Sequence, residues 1–279
     1  MMIDDDLVAR SSPPVARNAP AAARGLRLIA GVAGLVGAVA YSSFLLAPVM
    51  RSALRPASSY VSELGSPRAP ASAFFRASDA VAGLMIIVLA VALRRCVPGS
   101  WRRDAGAAAL ALAGGASLFD GWRPLDCAPS MDSACRLHER ALGLWGQLRE
   151  PHTVSGVIGV VAAIASMLLV GTVLRGVARW QHVGRLGTAT AALVASLGLL
   201  EIPLSLSGHL VGIIERAHVL GVSSWVAALG LVALLDDADA CGATGTALQS
   251  GGGATATALS TGGGPHGRET TIPPGVTRA

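Results

Sequence analysis

Six predominantly apolar stretches dominate this sequence of 279 residues, and each is about long enough to cross a lipid bilayer. A helix needs roughly 20 apolar residues to span about 30 Å of hydrocarbon. The fifth and sixth stretches are separated by only a few residues around Gly208 and His209, which predicts a helical hairpin. The pattern predicts an all-α fold, a polytopic transmembrane helical bundle with six spans, over residues 26–47, 75–93, 104–122, 153–174, 186–206 and 211–235.

The composition also indicates a membrane environment. Only 14% of the residues are charged, whereas soluble domains carry about 25%. Aromatic residues make up 4%, so alanine, leucine, valine and glycine supply the apolar content, and small residues let helices pack closely in lipid. All 22 basic residues are arginines, which indicates a GC-rich genome. We expect an actinobacterial source and a location in the bacterial plasma membrane. The arginines flank the apolar stretches singly or in pairs, so we expect the lipid bilayer as a partner and no nucleic acid.

Two polar tails flank the apolar region. Residues 1–24 are Pro-rich and begin acidic, unlike a secretory signal, so the first span is predicted to be an uncleaved anchor. Residues 237–279 are rich in Gly, Ala and Thr and show no periodicity. Such segments bury too little apolar surface to order themselves. The sequence therefore predicts a transmembrane domain over residues 25–236 between two disordered tails.

Arginine density predicts the orientation of the bundle. The turn 94–103 holds four arginines in ten residues, and the turn 175–185 holds three in eleven. In the longer loops 48–74 and 123–151 the arginines are diluted among acids and prolines. The positive-inside rule then places the two short turns and both termini in the cytoplasm.

Cys127 and Cys135 lie in a loop that this topology places outside, where disulfides persist. Seven residues separate them, whereas zinc-binding pairs usually keep about two to four between the cysteines. A structural disulfide is therefore favoured over a metal site that would use Asp132 and the nearby histidine. Asp132 and Ser130 are predicted to be turn residues.

Ionisable residues inside the spans all fall in one half of the membrane. Asp120 lies sixteen residues beyond Asp104, about 24 Å along a helix at 1.5 Å per residue, and hence close to the outer surface. Charges within a span are costly and normally face the bundle interior or a cavity. We therefore expect a polar cavity open to the outside. The candidate ligand-binding residues are Ser62, Glu63, Asp79, Asp120, Glu201, Glu215 and Arg216.

Three functions are compatible with this cluster. The first is a protein that binds a small molecule or a lipid headgroup, possibly as a carrier. The second is a metal-dependent hydrolase acting on a lipid, in which His152, His218 and an acid hold zinc and an activated water attacks the substrate. The third is a structural scaffold whose buried ion pairs only fix helix register, with Arg216 as a counter-ion for a buried acid such as Asp79, Asp120 or Glu201.

Small residues recur at helical spacing in the first and fourth spans. Their spacing predicts packing inside the bundle and not an oligomer interface. The two stripes are Ala30, Gly34 and Ala38, and Ser155, Gly159 and Ala163.

A series of polar motifs resembles a known family. The run Ser59–Gly65 reads SYVSELG, and it is followed by Asp79 near the start of the second span, by Phe119-Asp120-Gly121 and by His152 at the start of the fourth. This resembles the uncharacterised bacterial membrane family known as domain of unknown function 998, over about residues 26–235, and the S-E-L-G loop is similar to that of DRAM-type six-span proteins. The resemblance implies six helices and no particular activity. More distantly, the acid, serine and histidine set resembles a superfamily of transmembrane hydrolases that includes alkaline ceramidases. Those proteins have seven spans and paired histidines in the last one, where this chain has only His218.

Overall fold

The computed structural model describes residues 19–52, 54–207 and 210–235. The predicted C-terminal tail, most of the predicted N-terminal tail and the hairpin turn at Gly208 and His209 lie outside the described residues. Seven α-helices and short 3-10 turns make up the secondary structure of the described part, and no strand occurs in it. The helices are α1 (Ala19–Tyr41), α2 (Ser72–Cys96), α3 (Trp101–Trp122), α4 (Ser133–Gln147), α5 (Pro151–Arg175), α6 (Gln181–Ser207) and α7 (Val211–Leu235).

Five of these helices, α1, α2, α5, α6 and α7, are long and apolar enough to cross a membrane. The chain is therefore a multi-pass membrane protein. Helix α3 corresponds to the predicted span 104–122 and has 22 residues, but it is not among the five, although its length would suffice. Glycines and the charged residues Asp104 and Asp120 lower its mean hydropathy.

The six long helices form a closed ring in which each packs against its neighbours in the order α1, α2, α3, α5, α6, α7 and back to α1. Helix α3 is thus an integral member of the ring. The centre is filled by side chains that are at most 2% exposed, including Leu89, Leu93, Met167, Val226 and Leu229. Residues near the start of one helix contact residues near the end of its neighbour, as Arg27 of α1 does with Ala233 of α7 and Gly106 of α3 with Val170 of α5, so neighbouring helices run in opposite directions. We call the end where α2 begins and α3 ends the polar end, and the opposite one the arginine end.

Glycines bring neighbouring helices of the ring into backbone contact. A Cβ atom on Gly83 of α2 would lie 2.4 Å from the carbonyl oxygen of Gly114 on α3, and one on Gly34 of α1 would lie 2.6 Å from Cα of Gly230 on α7. The predicted role of the small-residue stripes in internal packing is confirmed, because Ala30 and the other non-glycine members of both stripes are buried.

Two elements differ from the sequence prediction. Helix α1 begins at Ala19 and ends at Tyr41, and Ser43–Leu46 forms a 3-10 turn where the first span was expected to continue to residue 47. Residues 123–151 were predicted to form one of the longer loops, but Ser133–Gln147 within them forms α4. Its sequence is amphipathic and too short to span a bilayer, so a search for long apolar stretches does not detect it.

At the arginine end, an arginine side chain caps the C-terminus of α7. Arg27 of α1 donates hydrogen bonds from Nε to the carbonyl oxygen of Ala233 (3.2 Å) and from Nη2 to that of Leu234 (2.8 Å). These carbonyls belong to the last turn of α7, whose acceptors have no partner within the helix.

Candidate functional site at the polar end

A loop between α1 and α2 folds over the polar end of the ring. Its apolar side chains, among them Leu54 and Leu64, pack with Phe44, Phe75 and Val219 in a second buried cluster. The S-E-L-G motif forms a 3-10 turn, Ser62–Gly65, within this loop.

Glu63 is the buried centre of that loop, with 1% of its surface exposed. Its carboxylate accepts hydrogen bonds from the backbone N–H groups of Tyr60 (3.0 Å) and Ser130 (3.0 Å), and from the Ser130 hydroxyl. A buried carboxylate is tolerated only when its oxygens are satisfied in this way. Glu63, one of the predicted ligand-binding residues, therefore joins the loop to the segment that precedes α4.

Glu215 and Arg216, at the start of α7, hold the same loop. Glu215 accepts a hydrogen bond from the backbone N–H of Val61, next to Ser62. Arg216 Nη1 donates to the carbonyl oxygens of Pro56 (2.7 Å), Ser59 (2.8 Å) and Gly212 (2.8 Å). The expected pairing of Arg216 with Asp79, Asp120 or Glu201 is not what the geometry shows, because these hydrogen bonds go to backbone carbonyls.

Asp120 of α3 forms one polar group with Ser155 and His152 of α5. The Ser155 hydroxyl donates to Asp120 Oδ1 and also lies 2.9 Å from the carbonyl oxygen of His152. His152 Nδ1 lies 3.2 Å from Asp120 Oδ1, yet its alignment is not that of a hydrogen bond, and this buried nitrogen has no other partner among the described residues. Asp79 is near enough to Asp120 for electrostatic repulsion, and its carbonyl oxygen accepts a hydrogen bond from Ser117 (3.0 Å).

His218 and Glu201 form a second histidine–acid pair, on α7 and α6. His218 is 7% exposed, and its Nδ1 lies 3.8 Å from Glu201 Oε2. That distance is too long for a hydrogen bond, so His218 Nδ1 is also buried without a partner among the described residues.

A small cavity of about 30 Å³ lies between these groups. Its polar lining residues are Tyr41, Ser117, Asp120, Ser155 and His218, and alanines and glycines of α3 and α5 supply much of the rest. A water molecule needs about 10–15 Å³ measured in this way, so the cavity holds one or two water-sized groups. It is far smaller than the roughly 300–1,000 Å³ of a pocket that encloses a whole ligand.

The predicted zinc ligands His152 and His218 belong to different pairs. Among the described residues, no group of three or more histidine, cysteine, aspartate or glutamate side chains is arranged to hold a metal ion. Zinc binding stays a prediction.

The predicted disulfide between Cys127 and Cys135 is confirmed, with the two Cα atoms 6.1 Å apart. Asp132, within the closed loop, accepts hydrogen bonds from the backbone N–H groups of Ala134 (2.9 Å) and Cys135 (3.3 Å), as a residue that caps a helix N-terminus does. Ser130 was predicted to be only a turn residue, but it also binds Glu63. The local sequence gives no sign of that contact, because its partner is 67 residues away.

The fold and the site together define the class of protein. It is an all-helical, multi-pass membrane protein with buried polar groups at one end of its helix bundle. The chain matches the family of proteins of unknown function DUF998 over residues 15–232, and it belongs to that family. No curated protein and no solved structure matches it.

Proposed function

We propose that this protein is a six-span protein of a bacterial plasma membrane, with both termini in the cytoplasm, that binds a small molecule or a lipid headgroup at its polar end. The place of α3 in the closed ring supports six spans. The outward orientation of the polar end follows from the arginine-rich short turns and from the disulfide between Cys127 and Cys135.

The binding proposal rests on the surroundings of the His218 Nδ1 atom. This nitrogen is buried, has no hydrogen-bond partner among the described residues, and belongs to a side chain that lines the cavity beside Ser155 and Asp120. A buried polar atom without a partner costs about 1–3 kcal/mol. A bound polar group would remove this cost.

The size of the cavity limits what can enter it. One or two water-sized groups fit, so the part of a ligand that reaches His218 is a hydroxyl, an ammonium group or a similarly small polar end. The remainder of the ligand lies outside the cavity. Glu63, Glu215 and Arg216 hold the loop above the site, and their role in the proposal is to position that loop.

The proposal is tested by identifying the small molecules and lipids that remain bound to the protein during gentle extraction. The protein is extracted with its native lipids into polymer-bounded discs, and the bound molecules are identified by mass spectrometry. We expect a species that His218→Ala and Ser155→Ala each reduce about tenfold or more, the effect of losing one charge-assisted hydrogen bond. His182→Ala is the control, because His182 is exposed on α6. Identical bound species in all four proteins would refute the proposal.

A second candidate is the metal-dependent hydrolase. The observation in its favour is that each histidine turns Nδ1 toward a carboxylate, His152 toward Asp120 and His218 toward Glu201. Metal-binding histidines commonly have this arrangement, which leaves Nε2 for the ion. Elemental analysis should then find about one zinc per chain in the purified protein and none in the His152→Ala, His218→Ala double variant. Absence of zinc from both proteins would refute this candidate.

The scaffold alternative predicts neither a bound molecule nor a metal. In that case the two histidine–acid pairs serve only to fix the register of α3, α5, α6 and α7, and both experiments above give the same result for the wild type and its variants.

A further inference from the structure

A groove lies on the opposite side of α3 from the small cavity. Positions 113, 116, 117 and 120 of α3 line the cavity, whereas positions 115, 118, 119 and 122 line the groove between α2 and α3. The groove has a volume of about 640 Å³. Because it is on the other side of α3 from the cavity, it faces away from the centre of the ring.

The groove is lined by small residues and by large apolar ones. Ala80 and Gly115 are among the small residues, and a Cβ atom on Gly115 would meet nothing within 4 Å. Leu118 and Trp122 are among the large ones and are 38% and 69% exposed. A surface of this kind in a membrane protein suits an acyl chain.

Positive charge lies at the end of the groove nearest the polar end of the ring. Arg76 donates from Nε to the carbonyl oxygen of Gly121 (3.1 Å), which fixes its guanidinium at the rim. No carboxylate of the described residues forms an ion pair with it. The guanidinium of Arg123 lies 6.0 Å from the Trp122 ring, which adds a second positive charge there. Arginine suits phosphate groups, and tryptophan is typical of the membrane interface.

We propose that this groove binds one anionic phospholipid from the leaflet at the polar end. Its acyl chain lies along Ala80 and Gly115, and its phosphate contacts Arg76 and Arg123. The charge complementarity selects an anionic lipid over a zwitterionic one, because no carboxylate of the described residues forms an ion pair with either arginine. The site is separate from the small cavity, since α3 stands between them.

Native mass spectrometry of the protein in nanodiscs of equal amounts of palmitoyl-oleoyl-phosphatidylglycerol and palmitoyl-oleoyl-phosphatidylcholine tests the proposal. We expect the wild type to retain one phosphatidylglycerol in preference to phosphatidylcholine. Gly115→Leu fills the groove, and Arg76→Gln removes a charge. Arg76→Gln should lower the retained phosphatidylglycerol about fivefold, the effect of one basic residue near a membrane surface. Gly115→Leu should also lower it, because the leucine occupies the space of the acyl chain.

Gly198→Leu is the matched control for the groove, because a Cβ atom on this α6 glycine also meets nothing within 4 Å. It should retain phosphatidylglycerol as the wild type does. Gly115→Leu adds no clash inside the fold, so its unfolding temperature should stay close to that of the wild type. Equal retention of the two lipids by the wild type, or undiminished phosphatidylglycerol in both groove variants, would overturn the proposal.

Discussion

Gly212 is the residue at which α7 contacts carbonyl oxygens of the loop between α1 and α2. A Cβ atom there would lie 2.3 Å from the carbonyl oxygen of Ser59 and 2.4 Å from that of Pro56. Both are backbone atoms of a loop held by Arg216, so they cannot simply turn aside. Gly212→Ala should therefore destabilise the protein by about 1–3 kcal/mol, the usual cost of overpacking, as measured by thermal unfolding in detergent.

Gly198→Ala is the control for this prediction. The same added methyl group meets nothing within 4 Å, and alanine is favoured over glycine inside a helix by up to about 1 kcal/mol. The control should match or exceed the stability of the wild type. Equal losses in the two variants would show that the contact of Gly212 with the loop is not the cause.

The pKa of the Tyr60 hydroxyl is a measure of how deeply the loop between α1 and α2 is buried. Burial raises the pKa of the Tyr60 hydroxyl above its usual range, and the carboxylates of Glu201 and Glu215 raise that pKa further. The folded protein thus holds this proton more tightly than the unfolded chain does. The free energy of unfolding should therefore decrease as the pH rises above about 10, where an unfolded tyrosine ionises.

The titration of Tyr60 is observable in the Tyr41→Phe variant, because the chain has two tyrosines. Tyrosinate absorbance should develop at higher pH in the folded protein than in the same variant unfolded in denaturant. Coincident titration curves would contradict the burial of the Tyr60 hydroxyl beneath the loop.

The contact between α2 and α3 depends on glycines that face each other. A Cβ atom on Gly114 would lie 2.7 Å from the carbonyl oxygen of Gly83, whereas one on the adjacent Gly115 would meet nothing within 4 Å. Gly114→Ala should force the helices apart and cost about 1–3 kcal/mol. Gly115→Ala should be neutral or slightly stabilising. The unfolding temperatures of the two variants test this difference in stability. Equal changes in unfolding temperature would mean that α2 and α3 can separate freely.

The long helices follow from the sequence because a span is specified by length and apolarity, which are local properties. Helix α4 could not be found in that way, since Ser133–Gln147 is short and polar on one face. The pattern of small residues correctly predicted internal packing, but which helices meet at Gly83 or Gly34 depends on the closure of the ring.

The polar residues were easier to find than their partners. Helical spacing placed Asp120, His152 and Ser155 at one depth, and the structure brings these three together. Spacing does not specify the direction of a side chain around the helix. For that reason Arg216 was expected to pair with an acid but donates to loop carbonyls, and Ser130 was not expected to reach Glu63.

At the scale of the whole molecule, different polar groups lie at the two ends of the helix ring. The two histidine–acid pairs and the loop held by Glu215 and Arg216 lie at the polar end, and Arg27 caps the C-terminus of α7 at the arginine end. A ring of closely packed helices joins the two ends. Ligand chemistry is therefore expected only from the side of the membrane that the polar end faces.

The last prediction concerns which side of the membrane the polar end faces. Arginine density in the two short turns favours a polar end outside the cytoplasm, but the loops at that end also carry arginines. The disulfide between Cys127 and Cys135 is independent of charge, and disulfides are rare in the reducing cytoplasm. Both arguments predict that α4 lies outside and that the start of α3 lies inside.

Two tryptophans provide a matched test of this topology, because Trp145 on α4 and Trp101 at the start of α3 are 78% and 67% exposed. Each is replaced by cysteine and treated in intact cells with a maleimide that cannot cross the membrane. We expect Trp145→Cys to be labelled above the background of the unsubstituted chain, and Trp101→Cys to be labelled only after the cells are permeabilised. The reverse result would place the polar end in the cytoplasm. The cavity at His218 would then be open to cytoplasmic ligands, and the loop that holds Cys127 and Cys135 would lie where their disulfide does not persist.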